Sequence, residues 1–132
     1  MNDSNGKLWI AIAAASGAIA VAAGAFGAHG FDPATVAGAR ARDWLQTGSH
    51  YEIVHALAML AVVLLSAQGR IGGKLTGAAQ WLFLIGSVLF PGSLYALAFG
   101  GPRWFGAVAP FGGTAFILGW LALALAALSA RR

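Results

Sequence analysis

Ser49-His50-Tyr51-Glu52-Ile53-Val54-His55 holds most of the side chains of this sequence that could do chemistry. Two of the three histidines, one of the two tyrosines and the only glutamate fall in that stretch. Imidazole beside carboxyl can move protons, hold a metal or anchor a hydrogen-bond network. On a helix, His55 shares one face with Tyr51, Glu52 and Met59, because residues three and four apart stack on each other. His50 and His55 are five apart, so they do not share the face that an i, i+4 metal pair uses. Two structural readings stand beside the chemical ones. Ser49 to Glu52 fits a capping box, in which serine accepts from the amide three residues on and glutamate reaches back to the serine amide. A histidine in an apolar helix is also commonly satisfied by a neighbouring carbonyl or tyrosine.

Composition dictates what must position these groups. The chain has 132 residues, of which 59% are hydrophobic and 9% charged, with a mean hydropathy of +0.76. Soluble domains carry about 25% charged residues, so the solvent expected here is lipid. The fold class expected is an all-α integral membrane protein, one domain over residues 1–132, with the lipid bilayer as its first partner. The net charge of +4 comes from eight basic and four acidic residues scattered over the connecting segments, a pattern that argues against nucleic-acid binding. Without cysteine there is no disulfide, thiolate metal site or thiol nucleophile. No nucleophile elbow, paired acids or HExxH motif is present, so hydrolase chemistry is the least expected; the chain is read as no enzyme, and no cofactor or metal is assigned to it.

Four apolar runs, near residues 8–28, 50–67, 78–99 and 110–129, are long enough to span a bilayer, and short connectors make them an antiparallel bundle. The first run could also be a cleaved signal peptide with Ala23-Gly24-Ala25 as its site, but its length and its small-residue face favour a retained helix. Ala13, Gly17, Ala20, Gly24 and Gly27 form that face, and Gly112, Gly113 and Gly119 serve the fourth helix in the same way. Asp32-Pro33 reads as an N-cap followed by proline in the first turn. It would open a short amphipathic helix over residues 33–47 lying in the membrane interface, with Trp44 on its apolar side. The second span would then start at Ser49. Gln68 to Lys74 is a glycine-rich basic turn that lacks the strand and Gly-Lys-Ser/Thr order of a nucleotide phosphate loop. Pro91 frees the carbonyl of Ser87, which Ser87 or Ser93 could answer. The last helix is expected to start near Pro110.

Several segments together are similar to one family. Gly24-Ala25-Phe26-Gly27-Ala28-His29-Gly30, Thr47-Gly48 leading into Tyr51, His55-Ala56-Leu57-Ala58, Gly92-Ser93-Leu94-Tyr95, Pro110-Phe111-Gly112-Gly113 and Phe116-Ile117-Leu118-Gly119-Trp120 resemble the YgdD-like small inner-membrane proteins. The resemblance covers almost the whole chain, departing from the pattern at Pro91. It implies a four-helix membrane fold in a bacterial inner membrane and no assigned activity.

With four spans both termini share a side. That side holds Lys7, Arg70, Lys74, Arg131 and Arg132 against Arg40, Arg42 and Arg103 on the other, so the positive-inside rule puts the termini in the cytoplasm. His29, Tyr51, Glu52, His55 and Tyr95 then gather at the outer side as a candidate polar pocket. Three functions fit. The first is a non-enzymatic accessory, assembly or structural component, in a homo-oligomer or a larger membrane complex. The second is permeation of protons or a small solute through the pocket. The third is haem or metal binding by His29 and His55.

Overall fold

In lipid every backbone amide and carbonyl must find its partner within the protein, and a helix achieves this within one segment. The computed structural model, which describes residues 3–130, has four helices: α1 (Asp3–His29), α2 (Val36–Ala67), α3 (Gly73–Ala98) and α4 (Phe105–Ser129). No strand occurs among the described residues, and Arg131-Arg132, counted above toward the side of the termini, lie outside them. All four helices are long and apolar enough to cross a membrane. The shortest has 25 residues and measures roughly 37 Å against a hydrocarbon core of about 30 Å.

The separate interfacial helix over 33–47 is not formed. Residues 36–67 make one continuous helix of 32 residues, roughly 48 Å long, which exceeds the hydrocarbon core by about 18 Å. The polar end with Arg40, Arg42 and Asp43 is thus the first part of α2 itself. The break expected at Ser49 is absent because neither capping partner caps: the Ser49 hydroxyl donates to the Ala20 carbonyl of α1 at 2.6 Å, and Glu52 turns to other helices. The true start lies further back. Thr35 Oγ1 accepts from the Gly38 amide at 3.0 Å and Asp32 Oδ1 from the Ala34 amide at 2.9 Å, so Pro33 belongs to the turn before the helix.

The other starts also move outward. α3 begins at Gly73 rather than near residue 78, and α4 begins at Phe105, leaving Pro110 inside the helix. α3 continues through Pro91, while the Ser87 hydroxyl expected to answer the freed carbonyl is buried without a hydrogen bond. α2 and α3 end alike. Gly69 (φ 69°) and Gly100 (φ 83°) take the left-handed conformation, and the next amide reaches back five residues, Arg70 to Leu65 at 2.9 Å and Gly101 to Ala96 at 2.7 Å. This is the Schellman ending that glycine favours.

Each helix packs chiefly on its neighbours in sequence. Trp9, Met59, Val62, Phe83, Phe116 and Ala126 belong to the main core, with a smaller cluster of Ala41, Leu45 and Ala98 under Tyr95. Small residues set the spacing. Along α1, Gly27 faces Leu45, Gly24 faces Ser49 and Gly17 faces Ile53. Between α3 and α4, Gly112 lies against the backbone of Phe90 and Gly86 against the ring of Phe116. A Cβ on Gly119 would sit 2.7 Å from the Phe83 ring. Gly113, expected in that packing face, instead points where nothing lies within 4 Å.

The two α4 glycines therefore respond differently to an added methyl. Gly119→Ala is expected to destabilise by about 1–3 kcal/mol through overpacking, whereas Gly113→Ala leaves stability unchanged or raises it by about 0.5–1 kcal/mol through helix propensity. Thermal unfolding of the two variants in the same detergent checks the difference.

Candidate functional site

Helical periodicity sends the two ionisable groups of mid-α2 to different neighbours. Glu52 is 5% exposed and His55 4%. Glu52 Oε1 accepts from the Ser16 hydroxyl of α1 at 3.0 Å, and Oε2 accepts from the Tyr95 hydroxyl of α3 at 2.6 Å. One carboxyl thereby joins three helices. An unpaired carboxylate is costly to bury, and here both oxygens are occupied by hydroxyls rather than by a cation. A hydroxyl can donate to a carboxylate or accept from a carboxylic acid, so the linkage can persist whether or not Glu52 carries a proton.

His55 lies on the side of α2 that meets α3 and α4. The indole Nε1 of Trp120 donates to His55 Nε2 at 3.1 Å, and His55 Nδ1 lies 2.6 Å from the Tyr51 carbonyl. Indole can only donate. Nε2 must therefore be the acceptor, which leaves the proton on Nδ1 and directs it to the Tyr51 carbonyl. The imidazole stacks on Phe116 with ring centres 3.5 Å apart and an 11° tilt. With both nitrogens engaged, no lone pair is left for a metal or a haem iron. No group of three or more His, Cys, Asp or Glu gathers among the described residues. Beside the ring, Tyr51, Phe90, Gly113, Phe116 and Trp120 line a cleft of about 310 Å³.

The five candidate residues do not form a single pocket. Glu52 and Tyr95 are bonded directly. Tyr51 and His55 form a second group, joined through the Tyr51 carbonyl and by parallel rings 6.4 Å apart. His29 is exposed in the last turn of α1, and His50 is exposed with its ring edge-on to Tyr51. Two hydrogen-bond partners of these residues, Ser16 and Trp120, were not among the sequence candidates. Ser16 falls on the small-residue stripe of α1 between Ala13 and Ala20, all three buried, and a hydroxyl in such a stripe is the available signal. Trp120 lies one turn beyond Phe116, so their shared face was visible, but not that it meets His55.

If the Glu52 clamp holds the helices, Tyr95→Phe is expected to cost about 1–3 kcal/mol by leaving a buried oxygen unpaired. The same change in a Glu52→Leu background should cost far less. A double-mutant cycle on unfolding in detergent measures this coupling. By the same reasoning, His55→Leu should destabilise clearly more than His50→Leu.

Comparison with known proteins agrees with this architecture. Residues 23–113, which include Glu52, His55 and Tyr95, match the family described as "Protein of unknown function (DUF423)". A "UPF0382 membrane protein" of Haemophilus influenzae is 40% identical over 116 residues, covering 88% of this chain and 90% of that protein. The "UPF0382 membrane protein YwdK" of Bacillus subtilis is 38% identical over 125 residues, covering 92% and 97%. The "UPF0382 inner membrane protein YgdD" of Escherichia coli K12 is 39% identical over 126 residues, covering 96% and 93%. No solved structure matches. With four helices able to span a membrane and similarity over nearly its whole length, the chain belongs to the DUF423 (UPF0382) family of membrane proteins of unknown function.

Proposed function

We propose that this protein is a non-enzymatic structural or assembly component of the bacterial inner membrane. In this reading it is an antiparallel four-helix protein with both termini in the cytoplasm, acting as a homo-oligomer or within a larger membrane complex. The observation that carries the reading is that the two buried ionisable groups of α2, Glu52 and His55, are saturated. Both Glu52 oxygens and both His55 nitrogens are occupied by other parts of the same chain, so neither group is left to bind or turn over a substrate. Several facts support the rest. Pairings between α1 and α2 run in opposite directions along the two helices, from Gly27 with Leu45 to Gly17 with Ile53. Lys7, Arg70 and Lys74 share the end assigned to the cytoplasm. Residues 36–47 would carry Arg40, Arg42 and Asp43 through the opposite interface, in the place first expected of a separate helix.

A second reading, permeation of protons or a small solute, is favoured by one observation. The Ser16–Glu52–Tyr95 linkage can accept a proton without losing its hydrogen bonds, and the cleft beside His55 lies on the neighbouring face. Against it, the deep parts of α1, α3 and α4 contribute no ionisable group apart from Tyr95, whereas proton paths usually need several. Haem binding by His29 and His55 has the least support, because it would require breaking the Trp120–His55 bond.

The flux of protons into proteoliposomes under an imposed potential separates these readings. A structural role predicts the rate of empty vesicles for both the wild type and Glu52→Gln. A wild-type flux that Glu52→Gln abolishes would overturn the structural role in favour of permeation.

A further inference from the structure

A second polar site lies at the other end of α3 from Tyr95 and does not depend on the reading of Glu52. A cavity of about 240 Å³ opens between the start of α1, the end of α2 and the start of α3, walled in part by Trp9, Gly72, Thr76, Gly77, Gln80 and Trp81. That is far more room than one water needs.

Two independent features of this cavity point to a ligand. The first is the start of α3. Its cap, Gly72, offers no side-chain hydrogen bond, and its first turn holds no acid. First-turn amides have no acceptor within their own helix, and the positive end of the helix dipole adds to their attraction for an anion. Lys7, Arg70 and Lys74 carry positive charge at the same end. The second feature is deeper. Thr76 and Gln80 are 5% and 2% exposed, yet Thr76 Oγ1 and Gln80 Oε1 have no hydrogen-bond partner. Gln80 Nε2 donates to the Met59 carbonyl at 3.2 Å, which holds the carboxamide so that its oxygen is the atom left over. Buried polar atoms of this kind are usually satisfied, and an acceptor in lipid calls for a donor.

We propose that this cavity binds a glycerol phosphate group. The phosphate takes the first-turn amides of α3 and the Thr76 hydroxyl, and a glycerol hydroxyl donates to Gln80 Oε1. Gln80 lies one turn further into α3 than Thr76, so the hydroxyl must sit on the membrane side of the phosphate. A monoacyl glycerophospholipid has a hydroxyl there, as does free glycerol 3-phosphate, while a diacyl phosphatidic acid has none. Trp9 and Trp81 meet edge to face with ring centres 5.2 Å apart, and the exposed Trp81 indole suits the interface where such a headgroup lies.

The test uses the full chain in phosphatidylcholine nanodiscs, with retained lipid read by native mass spectrometry after adding monoacyl or diacyl phosphatidic acid. The wild type is expected to keep one monoacyl lipid with about tenfold preference over the diacyl form, the ratio that one hydrogen bond supplies. Thr76→Val should weaken retention of both lipids, and Gln80→Leu should remove the preference between them. Gly77→Leu provides a variant that leaves the core alone, since a Cβ there meets nothing within 4 Å. It should block the cavity and abolish retention while unfolding at the wild-type temperature. Displacement of the bound lipid by free glycerol 3-phosphate would support a soluble source for the ligand, and resistance to it a lipid source. Equal retention of the two lipids by the wild type, no retention of either, or full retention by Gly77→Leu would overturn the proposal.

Discussion

A carboxyl group inside an apolar helix bundle must be matched, and the matching of Glu52 organises much of this fold. Its oxygens are held by Ser16 from α1 and Tyr95 from α3, and hydrogen bonds this short demand that the three helices approach closely. Glycine makes that approach possible. The Tyr95 ring crosses α2 at Gly48, where a Cβ would stand 2.6 Å from it, and Ser49 meets α1 at Gly24, where a Cβ would stand 2.7 Å from the serine hydroxyl. Close packing and polar satisfaction are thus one arrangement, consistent with association in lipid through packing and hydrogen bonds rather than through a hydrophobic driving force.

His55 extends the same logic to α4. Its ring lies against Phe116, accepts a hydrogen bond from the Trp120 indole and donates one to the Tyr51 carbonyl one turn earlier. α2 therefore directs one polar group toward α1 and α3 and another toward α3 and α4, and the helix that carries both is unbroken between them. An interruption at Ser49 would disturb the register of Glu52, three residues later, with Ser16 and Tyr95. This gives a physical reason why α2 runs on from Val36 instead of starting anew at the membrane surface.

The parts of this structure legible in the sequence are those set by local pattern. Four long apolar runs, the polar cluster from Ser49 to His55 and the small-residue face of α1 all follow from counting along the chain, although that cluster was expected at the start of a helix and lies in the middle of α2. What was not legible depended on partners far apart in sequence. Ser49 and Glu52 satisfy a capping box on spacing alone, but a tertiary hydrogen bond from Ser49 to Ala20 and two hydroxyls around Glu52 outcompete it. Pro110 looked like a first-turn residue because proline is tolerated there, yet α4 begins at Phe105 and accommodates it internally. Gly113 adjoins Gly112 in sequence, but one step along a helix turns a residue by about 100°, so only Gly112 meets α3. Ser16 and Trp120 were visible as residues without being recognisable as partners.

Because Glu52 is the only glutamate in the chain, labelling glutamate with ¹³C reports on a single carboxyl carbon. Solid-state NMR of the protein in lipid bilayers, with serine and tyrosine also labelled, is the most direct test of the clamp. Cross-peaks from the Glu52 carboxyl carbon to Ser16 Cβ and Tyr95 Cζ are predicted, with the tyrosine cross-peak absent in Tyr95→Phe. Cross-peaks to Ser49 alone would show the carboxyl capping its own helix and would contradict the account.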